Sequence, residues 1–77
     1  MEEKVKQIIS DLFSVKTNEI NPKFGPIDCD EWDSFGHLNL ITALEEEFDV
    51  LFDENQIPDM QNFELIIHII KETINNK

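Results

Sequence analysis

Three stretches of the chain carry apolar residues at spacings of three and four, which is the pattern of a helix with one buried face. The first stretch predicts a helix over residues 2–15. Its apolar stripe consists of Val5, Ile8, Ile9, Leu12 and Phe13. The other two stretches predict helices over residues 34–48 and 63–74. No stretch carries the alternating pattern of a half-buried strand.

The second helix has two distinct faces. At about 100° per residue, one side faces the core. That side holds His37, Leu40, Ile41, Leu44 and Phe48, and the opposite side holds Phe35, Asn39, Thr42 and Glu46. Phe35 is therefore a large aromatic side chain on a polar face, beside the helix start. Asp33 or Ser34 is expected to cap that start, because either side chain can accept a hydrogen bond from the first turn.

A long segment between the first two helices lacks any periodicity. Residues 16–33 contain two asparagines, two prolines and one glycine, which break regular structure. We expect a long loop here that is attached to the helices by apolar side chains. The expected anchors are Ile20, Phe24 and Ile27.

A short helix is expected before the last one. Asp53 can cap residues 54–57, Pro58 then ends that helix, and Asn62 caps the next. The predicted fold class is all-α: a small four-helix bundle with one short helix and a long first loop, formed by a single domain over residues 1–77. Nine side chains should be buried together in its core: Val5, Ile8, Leu12, Ile41, Leu44, Phe48, Phe52, Ile66 and Ile70.

The charge of the chain is strongly acidic and unevenly distributed. The 77 residues include six lysines, no arginine and 17 Asp or Glu, for a formal net charge of −11. Residues 24–70 contain no Lys or Arg. The negative charge of this segment is therefore not balanced by nearby cations. Its electrostatic field speeds the encounter with basic partners and repels the phosphates of nucleic acids. The alternative is that the acids only keep a small protein soluble.

Neither a membrane span nor an export signal is expected. The longest apolar run, residues 65–70, is interrupted by His68 and is far shorter than the ~20 residues of a spanning helix. The first residues include no apolar signal core, so we expect a cytoplasmic protein. Cys29 is the only cysteine, which excludes an internal disulfide and fits a reducing compartment. We expect a monomer, and whether oxidised Cys29 links two chains stays open.

Several kinds of chemistry do not fit the residues available. Two glycines cannot form a glycine-rich phosphate loop, and one Cys with two His cannot form a zinc site without carboxylates. The acidic segment 28–33 begins like a calcium loop but has Trp32 where an oxygen ligand is needed. Ser34 and His37 lie one turn apart on one helix, without the strand-borne elbow that exposes a hydrolase serine.

Ser34 is the strongest candidate for a functional residue. It begins a helix, follows an acidic loop and neighbours the exposed aromatic Phe35. A phosphate group attached to Ser34 would lie at the positive end of the helix dipole, where negative charge is stabilised. The plain alternative is that Ser34 only caps the helix, which is a common role for serine. The local pattern leaves both possibilities open.

The segment around Ser34 resembles a known family. Residues 33–48 read DSFGHLNLITALEEEF. They look like the second helix of acyl carrier proteins, which opens with D-S-L and closes with a run such as A-L-E-E-E-F. The length, the acidity, the long first loop, the short third helix and the apolar last helix are also similar. The resemblance therefore covers essentially the whole chain.

The resemblance implies that Ser34 is the attachment point of a 4′-phosphopantetheine group, which a phosphopantetheinyl transferase takes from coenzyme A. The terminal thiol of the group would hold an acyl or aminoacyl chain as a thioester. The partners implied are acyl- or aminoacyl-loading and acyl-transfer enzymes with basic surfaces, and the carrier itself would not be an enzyme. The residues predicted to contact partners are Asp33, Phe35, Gly36, Asn39, Thr42, Glu45 and Glu46.

The chain also departs from the family pattern. Phe35 stands where leucine is usual, and Gly36 and Asn39 occupy positions that are commonly acidic in carriers of fatty-acid synthesis. Trp32 and His37, on either side of the D-S pair, look more like carriers of polyketide, peptide, saccharide-linked or amino-acid-activating pathways. We therefore expect a specialised pathway. The alternative function is an acidic helical adaptor that binds a basic protein partner without a prosthetic group.

Overall fold

The computed structural model describes residues 1–75 and contains three α-helices. These are α1 (Glu2–Phe13), α2 (Ser34–Phe48) and α3 (Phe63–Asn75). Three single-turn 3-10 helices lie between them, at Thr17–Glu19, Pro26–Asp28 and Ile57–Asp59. No strand occurs within residues 1–75. The all-α prediction is confirmed, but the prediction of four helices is wrong.

The missing helix is the short one expected at residues 54–57. Residues 54–56 form a turn instead, in which the Asp53 carboxylate accepts from the N–H groups of Asn55 and Gln56. Pro58 has no N–H and cannot donate the hydrogen bond that would continue an α-helix. The backbone therefore continues as a 3-10 turn, with bonds three residues apart, such as the one from the Asp59 N–H to the Gln56 carbonyl.

The ends of the helices follow local capping rules. α1 ends two residues earlier than predicted, because Ser14 adopts a left-handed conformation and its N–H bonds back to the Ser10 carbonyl. Asp49 ends α2 in the same way. At the start of α3, Asn62 accepts from the N–H of Leu65 at 2.8 Å, as the sequence predicts.

One cluster of buried apolar side chains forms the core. Six of the nine core predictions are confirmed as buried: Val5, Ile41, Leu44, Phe52, Ile66 and Ile70. Ile8 and Phe48 are half-buried and pack against the cluster. Leu12 was predicted wrongly, since 40% of it is exposed. The buried stripe of α1 is narrower than its apolar pattern and follows positions four apart, namely Val5, Ile9 and Phe13.

The first loop is packed against the helices along its length. Ile20 and Phe24 are buried as predicted, whereas the expected anchor Ile27 is fully exposed. The Phe24 carbonyl accepts from the N–H of Phe63 at 2.9 Å, and the Pro22 carbonyl accepts similarly from the next residue of α3. The loop thereby supplies partners for N–H groups in the first turn of α3 that have none within the helix.

Candidate functional site

At the start of α2, the hydroxyl of Ser34 is exposed and takes no part in capping the helix. Asp33 is the cap, and its Oδ1 atom accepts from the N–H of Gly36 at 2.8 Å. Ser34 is the first helical residue, and within residues 1–75 its hydroxyl has no hydrogen-bond partner. Of the two capping residues considered from the sequence, Asp33 therefore has that role. Ser34 lies at the positive end of the α2 dipole with its oxygen accessible.

Gly36 lies inside the protein and not on its surface. A Cβ atom at this position would collide with the Glu31 carbonyl oxygen and come within 3.0 Å of the Phe13 ring. The absence of a side chain therefore lets the acidic loop cross closely over the first turn of α2. The expectation that Gly36 lies on the partner surface is corrected by this burial.

Trp32 and His37 hold the loop against the helix. Trp32 is buried, with its ring stacked on Phe13 at a centroid distance of 5.5 Å. Its indole N–H donates to Nδ1 of His37 at 2.9 Å. The other ring nitrogen of His37 lies 2.8 Å from the Ile57 carbonyl oxygen. His37 is half-buried and joins α2 to the segments on both of its sides.

A small open cavity of about 340 Å³ lies beside the Ser34 hydroxyl. Its lining residues are Pro26, Trp32, Asp33, Ser34 and His37. The lining combines apolar rings with the hydroxyl and carboxylate of the helix start. Space is therefore available next to Ser34 for a group attached to its oxygen.

The side of α2 that points away from the core presents a contiguous exposed surface. We call this surface the α2 face, and it consists of Phe35, Leu38, Asn39, Thr42 and Glu46. Phe35 is 81% exposed and Leu38 is 56% exposed, so the face combines two large apolar side chains with polar ones. Leu38 was not predicted from the sequence as a residue of this surface. Its spacing of three from Phe35 and four from Thr42 nevertheless places it on the same side of the helix.

The far end of the α2 face continues into a groove of about 820 Å³. The groove is lined by Thr42, Glu45, Glu46, Asp49, Val50 and Leu51. Leu51 is 84% exposed there. Glu45 is half-buried, and its Oε2 atom accepts from the N–H of Phe52 at 2.9 Å. Of the two glutamates predicted as partner contacts, Glu46 is thus the more exposed, while Glu45 also shapes the loop after α2.

Neither a metal site nor a membrane span is found within the described part of the chain. Residues 1–75 contain no group of three or more His, Cys, Asp or Glu side chains arranged to hold a metal ion. No helix in this part is long and apolar enough to cross a membrane.

Cys29 is buried, and burial together with a hydrogen bond to Glu31 raises the pKa of its thiol. A raised pKa keeps the thiol protonated and unreactive.

Comparison with known proteins identifies the family. The chain is 35% identical over 69 residues to the acyl carrier protein of Clostridium acetobutylicum, a match that covers 90% of both chains. This chain belongs to the acyl carrier protein family. It is also 40% identical over 55 residues to the acyl carrier protein of Nitratidesulfovibrio vulgaris, which covers 71% of this chain and 72% of the relative. No protein-family model matches the chain.

Membership of the family defines the general role of the protein. Acyl carrier proteins are carriers and not enzymes, so the expectation that this chain is not an enzyme is confirmed by its relatives. The predicted resemblance of the chain to the acyl carrier protein family is confirmed by the same relatives. Acyl carrier proteins as a family carry a phosphopantetheine arm. In this chain the Ser34 hydroxyl is exposed, and an open cavity lies beside it.

Proposed function

We propose that this protein carries acyl or aminoacyl groups as thioesters on a 4′-phosphopantetheine arm attached to Ser34. The observation that supports this most directly is the exposed Ser34 hydroxyl, which is free of any partner within residues 1–75. Its neighbour Asp33 has the capping role, so attachment to Ser34 would not remove the cap of α2. An attached phosphate would also be stabilised by the helix dipole.

The attachment is a phosphoryl transfer from coenzyme A. The Ser34 oxygen attacks the phosphorus on the pantetheine side, a new O–P bond forms, and the bond between the two phosphates breaks. Adenosine 3′,5′-bisphosphate leaves, and the serine proton passes to a base of the phosphopantetheinyl transferase. The arm supplies a terminal thiol that binds the cargo, and Ser34, Asp33 and the cavity lined by Pro26 are the parts of this chain beside its attachment point.

The α2 face is the surface that we propose contacts partners. Exposed aromatic and aliphatic side chains that are surrounded by polar residues are typical of binding surfaces. Phe35 and Leu38 provide the apolar part, and the exposed carboxylates of Asp33 and Glu46 provide charge for Lys or Arg on the partner. The partners are the transferase and the acyl- or aminoacyl-loading and acyl-transfer enzymes. Asn39 and Thr42 lie between Leu38 and Glu46 on this face.

A specialised biosynthetic pathway fits the chain better than fatty-acid synthesis. Asn39 makes the middle of the α2 face neutral, at a position that is commonly acidic in carriers of fatty-acid synthesis. Phe35 adds an aromatic ring where leucine is usual. Both differences change the surface that partners would recognise, so we propose that the loading enzyme belongs to such a pathway.

Mass spectrometry of the intact protein tests the proposal. The chain is incubated with coenzyme A and a broad-specificity phosphopantetheinyl transferase, beside an established carrier. One phosphopantetheine group should be added per chain, and Ser34→Ala should abolish the addition while the far-ultraviolet circular dichroism stays unchanged. A wild-type chain that stays unmodified while the established carrier is modified would contradict the proposal. It would instead favour an acidic adaptor without a prosthetic group.

A further inference from the structure

His37 makes two hydrogen bonds, and together they determine the tautomer of its neutral ring. Nδ1 accepts from the indole N–H of Trp32, so the neutral ring carries its hydrogen on Nε2. Nε2 then donates to the carbonyl oxygen of Ile57. Both nitrogens are thus occupied, and neither is available to take the proton of a substrate hydroxyl. Any part that His37 has in the modification of Ser34 must therefore be geometric.

Trp32 and His37 occupy the two positions that control how a chain enters a helix. With Asp33 as the cap of α2, Trp32 precedes the cap and His37 is the fourth helical residue. In many helices these positions hold two apolar side chains whose contact fixes the entry angle. Here a directional hydrogen bond joins the pair, and Trp32 is itself held by two phenylalanine rings. Ser34 lies between the two partners of this bond.

We propose that His37 is a positioning residue for phosphopantetheine transfer, and that its bond with Trp32 fixes the direction in which the start of α2 presents Ser34. This inference rests on the function proposed above. The step is the one already described: the Ser34 oxygen forms the bond to phosphorus, the bond between the two phosphates breaks, and the proton leaves to a base of the transferase. His37 holds the backbone of the helix start that carries Ser34 in one orientation, which matters because small misplacements of a reacting atom slow a reaction strongly.

Asparagine and glutamine separate the two bonds of His37. His37→Asn keeps an acceptor oxygen where Nδ1 stands, so it retains the Trp32 bond and loses the Ile57 bond. His37→Gln keeps a donor nitrogen where Nε2 stands, so it does the reverse. Trp32→Phe keeps an aromatic ring and removes the indole donor. His68→Gln is the matched control, because His68 is exposed on α3 and pairs with Glu72.

Steady-state transfer kinetics on the full chain provide the first test, at a temperature where circular dichroism shows every variant folded. His37→Gln and Trp32→Phe should each lower kcat by about tenfold. KM should stay within about twofold of the wild-type value, because the α2 face is unchanged. His37→Asn and His68→Gln should keep the wild-type kcat. The double variant His37→Gln/Trp32→Phe should be no slower than either single variant, since both remove the same bond.

The indole N–H resonance of Trp32 gives a second readout that does not depend on transfer. Trp32 is the only tryptophan of the chain, so a single indole signal is expected in a proton–nitrogen correlation spectrum. The signal should move in His37→Gln, which lacks the acceptor. It should stay near its wild-type position in His37→Asn and His68→Gln. A signal that does not move in His37→Gln would contradict the bond on which the inference depends.

The kinetic outcomes separate this inference from the proposed function. Wild-type transfer rates in His37→Gln would overturn the positioning role and leave the carrier function standing. Equal slowing of His37→Asn and His37→Gln would also overturn it, because that result indicates a general loosening of the helix start. A wild-type chain that is never modified would overturn the carrier function, and the inference with it.

Discussion

Asp33 caps α2 and its neighbour Ser34 does not: the Oδ1 atom of Asp33 accepts a hydrogen bond from the N–H of Gly36 at 2.8 Å. The two adjacent residues thus have separate tasks. Asp33 stabilises the first turn of α2, and Ser34 offers an exposed oxygen at the same helix end. Attachment of the proposed group to the Ser34 hydroxyl would therefore leave the cap bond of Asp33 intact.

This division of tasks predicts different effects on stability. Asp33→Ala should lower the free energy of unfolding by about 1 kcal/mol, which is the usual effect of losing a helix cap. Ser34→Ala removes no hydrogen bond within the described chain and should change it by no more than about 0.5 kcal/mol. Urea unfolding of both variants measures the difference. Equal losses in the two variants would indicate that Ser34 contributes to the cap after all.

The helices could be predicted from the sequence because their signals are local. The apolar spacing locates α2 and α3 to within a residue of their observed ends, and the caps Asp33 and Asn62 use short-range hydrogen bonds. Burial was harder to predict. Leu12 lies within the apolar stripe of α1 and is still 40% exposed, and Ile27 is an apolar loop residue that is fully exposed. Periodicity places a residue on a face, but it does not describe which part of that face another segment of the chain covers.

The surroundings of Ser34 were only partly predictable for the same reason. The D-S pair at a helix start marks the site in the sequence. The close approach of the Glu31 carbonyl to Gly36 and the bond between Trp32 and His37 both depend on the path of the loop over the helix. That path is set by tertiary contacts such as the stacking of Trp32 on Phe13.

The core predicts a contrast between two leucines. Leu44 is fully buried on α2, so Leu44→Ala should lower the free energy of unfolding by ~2–5 kcal/mol. Leu12 is 40% exposed, and Leu12→Ala should lower it by less than about 1 kcal/mol. Thermal and urea unfolding provide the measurement. A larger loss for Leu12 than for Leu44 would show that the assigned helix faces are reversed.

The buried thiol of Cys29 predicts slow alkylation. Burial raises its pKa first, and the hydrogen bond to Glu31 raises it further. Iodoacetamide at pH 8 should therefore react roughly tenfold or more slowly with the folded chain than with the chain in urea. Glu31→Gln should speed the reaction of the folded chain, because it weakens the acceptor that favours the protonated thiol. In urea the two chains should react alike.

The same raised pKa gives a direction for stability against pH. The folded chain holds the Cys29 proton more tightly than the unfolded chain does. The contribution of this group is therefore fully present below the usual pKa of a thiol, and it declines as the pH rises above that value. Cys29→Ser should flatten this alkaline decline in a series of unfolding curves. A decline that is unchanged in the variant would assign it to other groups.

Charge on the α2 face predicts an effect on association. Glu46→Lys should slow association with the transferase by about three- to tenfold at low salt, and the difference should shrink as salt rises. Glu46 is the better target, because Glu45 also holds the N–H of Phe52 and its reversal would disturb the fold. Glu54→Lys makes the same charge change on an exposed residue in the turn after Asp53 and is the matched control. Equal slowing in both variants would point to overall charge and not to the α2 face.

The exposed ring of Phe35 predicts an effect on dissociation. Its side chain is 81% exposed and lies beside the proposed attachment site, so it contributes little to the stability of the folded chain. Phe35→Ala should weaken binding to the transferase by ~2 kcal/mol or more, mainly through faster dissociation. The loss should depend little on salt, since it removes apolar contact and no charge. Surface-binding kinetics at two salt concentrations measure both properties.

Ile27 provides the control for this prediction. It is fully exposed and apolar like Phe35, but it lies on the Pro26–Asp28 turn and not on the α2 face. Ile27→Ala should leave the dissociation rate unchanged, and the melting temperatures of both variants should match that of the wild type. If Phe35→Ala lowered the melting temperature and left the kinetics of the folded protein unchanged, Phe35 would serve the fold. The apolar contact with partners would then have to come from Leu38 or Leu51 instead.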